Sequence, residues 1–360
     1  MKKVCIIINS PDLNRDDRIR KLFSTLSSNV SIECFSFCET ERTYYTNYGM
    51  KVQNISLVTR RLFKGGRALV LKAVESSIVT YFLARRFDKV ILCEEFTLLS
   101  GLFIDKRRLI LDLHEIPGFY MRNATSKLVF KLIASKSSLV IHANEARLKF
   151  VNEYFDLDEI NAMSLYNFPE IPSEEKTSVY ESLRSRIGLR NYAYIQGIWS
   201  TSRHPINTIG SVLEATDLYI CVIGGIEPDV KRNLRLKYKD TFDKRVIDIG
   251  KIDQEQIFSL VKHAKLTIVL YGNSSMNNWL CAPNRFYYAL YYNIPVVVGQ
   301  NPGFEIKRWL HNNIFQTSDD GENMKALIDT VKRASLVKES KPSYRPTWRD
   351  NNFSPMIKRL

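Results

Sequence analysis

At 360 residues the chain is past the size at which one hydrophobic core usually stops growing, so two domains are the first expectation. Apolar residues make up 45% and charged residues 25%, an ordinary globular balance that excludes a mainly disordered or collagenous chain. The 52 Lys and Arg against 38 Asp and Glu give a formal charge of +14, which favours anionic partners (phosphates, nucleic acid or an acidic membrane surface) without choosing among them.

Short apolar, β-branched runs alternate with longer amphipathic segments along almost the whole chain. In the first half strands are expected at Val4–Ile8, Val30–Phe37, Lys89–Cys93, Leu109–Leu113, Leu139–Ala143 and Met163–Tyr166, with helices at Asp17–Ser27, Arg67–Arg86 and Thr125–Ser135. Residues 168–188 break the alternation with two prolines and a charged stretch, and read as a linker between domains at 1–167 and 189–335. Beyond it, strands are expected at Tyr192–Gln196, Leu218–Ile223, Val246–Ile249, Leu266–Tyr271, Ile294–Val298 and Ile314–Gln316. Helices fall near Pro205–Ala215, Pro228–Lys239, Asp253–Ala264, Asn284–Tyr292 and Asn323–Ala334. Buried parallel strands read as unbroken apolar runs, and most of these do. Strand–helix–strand repetition in each half predicts an α/β fold of two Rossmann-like domains, each a parallel sheet covered on both faces. Residues 336–360 carry three prolines and no clear strand, a tail able to cross back onto the first domain.

The six cysteines show no CxxC spacing, and no His is placed to complete a zinc pattern. Most sit in apolar runs such as VCIII, KVILCEE and YICVIGG, where a buried free thiol and a reducing compartment are the expectation. The apolar run after the two N-terminal lysines lasts only five residues, too short for a signal peptide. No stretch approaches the ~20 apolar residues of a spanning helix. The expected location is the cytoplasm, with any membrane contact made peripherally on the inner face.

Ligands of open α/β sheets bind outside the carboxyl ends of the strands, so the residues after each strand matter most. No GxGxxG follows the first strand and no GxxxxGK[ST] occurs, which argues against a simple dinucleotide oxidoreductase or a P-loop NTPase. The segment NSSMNNWLCAPNRFYYALYYNIPVVVG (273–299) runs from a polar loop through Pro283-Asn284-Arg285 into an aromatic helix and a buried strand. A helix N-terminus with Arg285 in its first turn suits a phosphate; a capped helix with a surface Arg explains the same residues.

This segment resembles the donor-site segment of GT-B glycosyltransferases, the family-4-like group in particular, where a PNK-type tripeptide opens a helix and a small-residue–Pro–Val strand follows. QGIWSTSRHPINTI (196–209) is similar to the Gly loop of that family's second domain, with Gly197 and Arg203 at the spacing of the Gly and the diphosphate-binding basic residue. CVIGG (221–225) resembles the next strand and turn, and DIGKID (248–253), which contains Lys251, the loop against the nucleotide base. DDRIRKLFSTL resembles the first helix, and LDLHE (111–115) the segment whose His, here His114, faces the donor sugar. The matches fall in the family's order over residues 4–316. The resemblance implies two domains facing each other across a cleft, and a glycosyltransferase, hexosyltransferase in type and retaining. Gly197, Arg203, Lys251, Asn284, Arg285 and Tyr288 would bind the donor. Two departures stand out: Tyr288 occupies the place of the family's ribose-binding acid, with Leu280 at the earlier acidic place, and Ile198 stands where an Arg often follows the Gly. Lys251 or Arg285 would compensate for the latter, or the enzyme is a divergent or weakened one.

His114 follows a strand directly, a position suited to a ligand-facing imidazole, whereas His142 reads as core and His263 and His311 as helix surface. Glu94 and Glu95 end the strand KVILCEE and would point the same way, with Glu95 a candidate catalytic acid; Asp17, beside Asp16 in the first loop, is a candidate base. A solvated loop or a helix N-terminal charge accounts for these acids equally well. From Arg42 to Val74 there is no acidic residue and there are seven basic ones, with Tyr44, Tyr45, Tyr48, Leu62 and Phe63 among them. That pattern fits an anionic membrane surface or a solvated basic loop, and no nucleic-acid motif accompanies it. The reading is a bacterial surface-polysaccharide glycosyltransferase with a nucleotide-sugar donor and a glycan or lipid-linked acceptor. No cofactor is expected and no metal, because basic side chains and a helix dipole neutralise the leaving group. A sugar-nucleotide epimerase and a non-catalytic glycosyltransferase-like subunit are the alternatives.

Overall fold

The computed structural model describes the chain apart from residues 11, 40, 64–67, 158–160, 198–202, 310–311 and 338–343 and the side chain of residue 15. Lys64, Arg67, Ile198 and His311 therefore lie outside the described residues. The chain divides into two compact units, Met1–Tyr166 with Asn351–Leu360, and Asn167–Asp350.

The first unit is built on β1 (Lys3–Ile8), β2 (Ser31–Phe37), β3 (Arg42–Tyr45), β4 (Lys51–Ile55), β5 (Lys89–Cys93), β6 (Leu109–Leu113), β7 (Leu139–His142) and β8 (Ala162–Ser164). Among the described residues these strands form one sheet in the order β3-β4-β2-β1-β5-β6-β7-β8, parallel except for β3, which runs antiparallel to β4. Helices α1 (Asp17–Leu26), α2 (Val58–Leu62), α3 (Leu69–Ala84), α4 (Ala124–Lys136) and α5 (Glu145–Phe155) complete it. In α1 the Asp16 side chain accepts the Ile19 N–H at 3.0 Å as a cap, and Ile19, Leu22 and Leu26 fall inward at helical spacing. The basic, aromatic stretch read as membrane-facing or as a solvated loop is in its first part an edge hairpin, turned at Gly49 with φ +86°. Its strands alternate buried Val52 and Asn54 with polar neighbours, so they carry no apolar run that marks a strand.

The second unit contains β9 (Tyr192–Gln196), β10 (Tyr219–Ile223), β11 (Val246–Gly250), β12 (Leu266–Val269), β13 (Val296–Val298) and β14 (Ile314–Gln316), all parallel in the order β11-β10-β9-β12-β13-β14. Its helices are α6 (Ser178–Ile187), α7 (Pro205–Ala215), α8 (Pro228–Arg245), α9 (Gln254–Lys262), α10 (Met276–Trp279), α11 (Asn284–Tyr292), α12 (Ile306–Trp309) and α13 (Met324–Ser335). Ile195, Ile209, Val222, Ile268, Val297 and Leu327 form a solvent-free core, each side chain contributing ~1.5–3 kcal/mol by burial. The stretch expected as a linker, 168–188, holds α6, whose Leu183 and Ile187 are buried. From Asn351 the chain belongs to the first unit again: Asn351 bonds both backbone groups of Tyr166, at 2.8 and 3.0 Å, and α14 (Ser354–Arg359) buries Met356.

In each sheet the strand order reverses beside the first strand. β1 lies between β2 and β5, and β9 between β10 and β12. The carboxyl ends of strands at such a reversal are where α/β sheets receive ligands.

Candidate active site

In the first unit, Asn9, Glu94 and His114 follow the carboxyl ends of β1, β5 and β6. Asp112, inside β6, is fully buried. Arg18, on the inward face of α1, meets it with Nε at 3.2 and 3.1 Å from the two carboxylate oxygens and Nη2 at 2.5 Å from Oδ1. Arg18 Nη1 also donates to the Leu165 carbonyl at 2.8 Å. The His114 Nε2 lies 3.1 Å from Asp112 Oδ2, and its side chain is 15% exposed. Burial opposes ionisation of Asp112, but the Arg18 guanidinium outweighs it and holds this carboxyl well below its usual range. Burial likewise opposes an imidazolium at His114, yet the Asp112 charge raises it above the ordinary value. An ion pair between residues 94 apart in sequence thus fixes the His114 ring.

Glu94 sits at φ +67°, ψ 157°, a region that strains a residue with a side chain by ~1–3 kcal/mol. Burial pushes its carboxyl up to about 7, with His114 opposing. Glu95, the expected acid, accepts the Phe119 N–H instead, and burial raises its carboxyl too. Asp17 is paired at 2.8 Å with both Arg20 and the fully buried Lys21, and these cations hold it low despite its burial. Besides Asp112, Glu94 interacts electrostatically with His114, while the carboxylates of Glu95 and Asp17 bond a backbone N–H and two cations. Cys93, Asp112 and His114 bring ligand atoms within 4.8 Å of one another. Asp112 is already held by Arg18 and burial keeps the Cys93 thiol protonated, so the trio lacks the donors of a metal cage. His142 is core, its imidazole pushed down to about 3 by burial.

In the second unit β9 ends at Gln196 and Gly197 turns with φ +133°. A Cβ there would stand 2.5 Å from Arg285 Nη1 and 3.0 Å from Arg203 Nη1, so both guanidiniums lie directly over this glycine. The sum of those distances, 5.5 Å, is the upper bound on the separation of the two nitrogens. Gly224 makes the neighbouring approach: a Cβ on it would meet the Gly197 carbonyl at 2.7 Å. Both guanidinium carbons are 5.1 Å from the ring centre of Tyr271, which follows β12.

Arg285 is 5% exposed and donates Nη1 to the Gln196 carbonyl. Its Nε and Nη2 are buried without a hydrogen-bond partner among the described residues, and neither Arg285 nor Arg203 has an ion pair there. Buried donors left open on Arg285, beside a second cation, have the chemistry to take an anion. Pro283, extended at φ −76°, launches α11 so that Asn284 and Arg285 form its first turn, adding the positive end of the helix dipole. Lys251 follows β11 and is exposed. Tyr288 is fully buried on α11, packs against Phe258 at 5.3 Å, and its hydroxyl accepts from Gln254 Nε2.

Arg18, Asp112 and Tyr271 carry these sites without having been singled out in the sequence. Arg18 had a local signal, being a cation on the stripe that continues through Leu22 and Leu26. Tyr271 had none, because an aromatic ending an apolar strand reads as core.

No protein-family model matches the sequence and no curated protein matches it. Solved structures do match. Anabaena HepE, in complex with UDP and glucose, aligns at TM-score 0.65 with 14% identity over 93% of this chain and 94% of its own. Sucrose-phosphate synthase from Thermosynechococcus elongatus aligns at 0.68 with 12% identity, over 100% and 94%. The UDP-forming α,α-trehalose-phosphate synthase from Burkholderia vietnamiensis aligns at 0.64 with 9% identity, over 100% and 96%. At such identities the likeness is one of fold: this chain has the two-domain α/β fold, GT-B, of these glycosyltransferases.

Proposed function

We propose that this protein is a glycosyltransferase that moves a sugar from a nucleotide-sugar donor, of the UDP-hexose class bound by its structural neighbours, to a glycan or lipid-linked acceptor. The observation that carries the reading is the pair Arg203 and Arg285 over Gly197, neither with an ion pair among the described residues, and Arg285 with two buried donors left open there. A diphosphate satisfies both at once. As the sugar departs, charge grows on the β-phosphate, and the guanidiniums and the α11 terminus stabilise it where it develops. This is the chemistry a divalent cation supplies elsewhere, so no metal is required. His114, oriented by Asp112, hydrogen-bonds the transferred sugar or the developing charge. Glu94, poised to exchange a proton near neutrality, serves an acceptor hydroxyl.

Retention of configuration, a role in bacterial surface polysaccharide assembly and work at the inner face of the membrane complete the proposal. They rest on the family resemblance and on the basic first unit. The Tyr288 hydroxyl, turned to Gln254, favours one competing reading, a nucleotide-binding subunit without turnover. A panel of UDP-sugars with glycan and polyprenyl-phosphate acceptors decides. Nucleotide release that depends on both donor and acceptor supports transfer. Release without acceptor indicates an epimerase or hydrolase, and binding without release indicates the subunit.

A further inference from the structure

Helix α3 is built inside out. Its inward face carries Lys72, Ser76, Ser77, Thr80 and Ala84, all buried. The Ser76 and Ser77 hydroxyls donate to the Ala73 carbonyl at 2.9 and 2.7 Å, so small, self-satisfied side chains let α3 lie close on the 3-10 segment Glu95–Phe103. Its outward arc is Val70, Leu71, Val74, Ile78, Tyr81 and Phe82, between 38% and 60% exposed. In a helix of a soluble domain these faces are the other way round. The preceding α2 adds Leu62, 70% exposed.

Charge identifies the occupant. From Arg42 to Phe87 there are nine basic residues and a single acid, Glu75. That carboxylate is turned onto α2, where it accepts the Val58 and Thr59 N–H groups at 2.7 and 2.8 Å. The arc ends in the exposed Arg85 and Arg86, while Arg61 on α2 is exposed but paired with Glu41 at 2.8 Å. A second copy of this chain docking here would bring Arg85 and Arg86 towards their own symmetry mates, and the one acid of the helix, Glu75, is already turned onto α2. An anionic lipid surface meets both requirements, taking the apolar arc into the acyl boundary and the arginines among the headgroups.

We infer that α3 is an interfacial membrane anchor that lies in the plane of an anionic leaflet with its apolar arc inserted. This rests on the membrane part of the function proposed above and relocates it. Tyr48 of the hairpin donates to the Leu13 carbonyl and Lys51 pairs with Glu33, while Arg60 of α2 turns to Asn9 and the Phe37 carbonyl, so these three groups are already engaged within the unit.

The test is co-sedimentation of the full chain with vesicles of phosphatidylcholine and phosphatidylglycerol, comparing wild type with the quadruple variant Val70→Gln, Val74→Gln, Ile78→Gln, Phe82→Gln. The expected result is at least a ten-fold loss of vesicle partition, with melting temperature and UDP affinity unchanged. A Phe82→Trp variant should show a blue-shifted emission on addition of anionic vesicles and none with neutral ones. UDP affinity reports separately on the glycosyltransferase reading, so the two stand or fall apart. Absent vesicle binding by wild type, full binding by the quadruple variant, an unshifted emission from Phe82→Trp, or a dimer in wild type that the quadruple variant converts to monomer each overturns the anchor.

Discussion

The two strand-end sites of this protein handle charge in opposite ways. In the first unit each charge meets its complement: Arg18 with Asp112, Asp112 with His114, and Asp17 with Lys21. In the second, two guanidiniums crowd one glycine and share one aromatic ring, with no ion pair to either among the described residues. A closed network of buried charges is preorganised and changes little when a ligand arrives. An open pair of cations is incomplete until an anion completes it. Under the proposed function, the first site would orient a reacting sugar and the second would hold a leaving group.

The largest effect that would break this comparison is on stability. Asp112→Ala leaves Arg18 buried without its partner and should destabilise the fold by about 3–5 kcal/mol in denaturant titration. Arg285→Ala removes a cation that has no partner to strand. It should lose only about 1–2 kcal/mol, from the Tyr271 ring and the Gln196 carbonyl. Equal losses would mean the two sites do not differ as described.

A smaller effect lies in the pH dependence of Glu94. Its carboxyl is raised by burial from 4.5 to about 7, so the folded chain holds this proton more tightly than the unfolded one. The stabilising contribution is full below pH 4.5 and is lost as pH rises through about 7. Relative to Glu94→Gln, wild-type stability should therefore fall across that window, at up to about 1.4 kcal/mol per pH unit. A flat difference would remove Glu94 as the proton-exchanging acid. Smallest is His114→Ala. It should keep the fold and the nucleotide affinity while transfer drops at least ten-fold, about 1.4 kcal/mol of barrier. Turnover near the wild-type level in a donor–acceptor assay would make this imidazole structural.

Much of the architecture is legible in the sequence because parallel strands buried on both faces have to be apolar throughout. VCIII, LILDL and TIVL announce themselves, and Pro205–Ala215 and Asn284–Tyr292 form as helices at the expected residues. The β3–β4 hairpin escapes because an edge pair needs only Val52 and Asn54 inside. Helix α3 is visible as a helix, but its polarity is not: LVLKAVESSIVTYFLA gives no indication that the serines face in. Of the site, Gly197, Arg203 and Arg285 are legible through their spacing within a resemblance. The partnership of Arg18 with Asp112 is not, since a contact between α1 and β6 exists only once the sheet is assembled. The bond between Tyr288 and Gln254 is likewise not legible, since it joins α11 to α9 across 34 residues.

The central claim is that Arg203 and Arg285 together form the receptor for a nucleoside diphosphate, and isothermal titration of the full chain with UDP tests it most directly. Wild type should bind, and Arg203→Ala and Arg285→Ala should each lose about 1.5–3 kcal/mol, roughly ten- to 150-fold in Kd, through a missing charge-assisted phosphate contact. UDP binding that is indistinguishable among wild type and both variants would contradict the account.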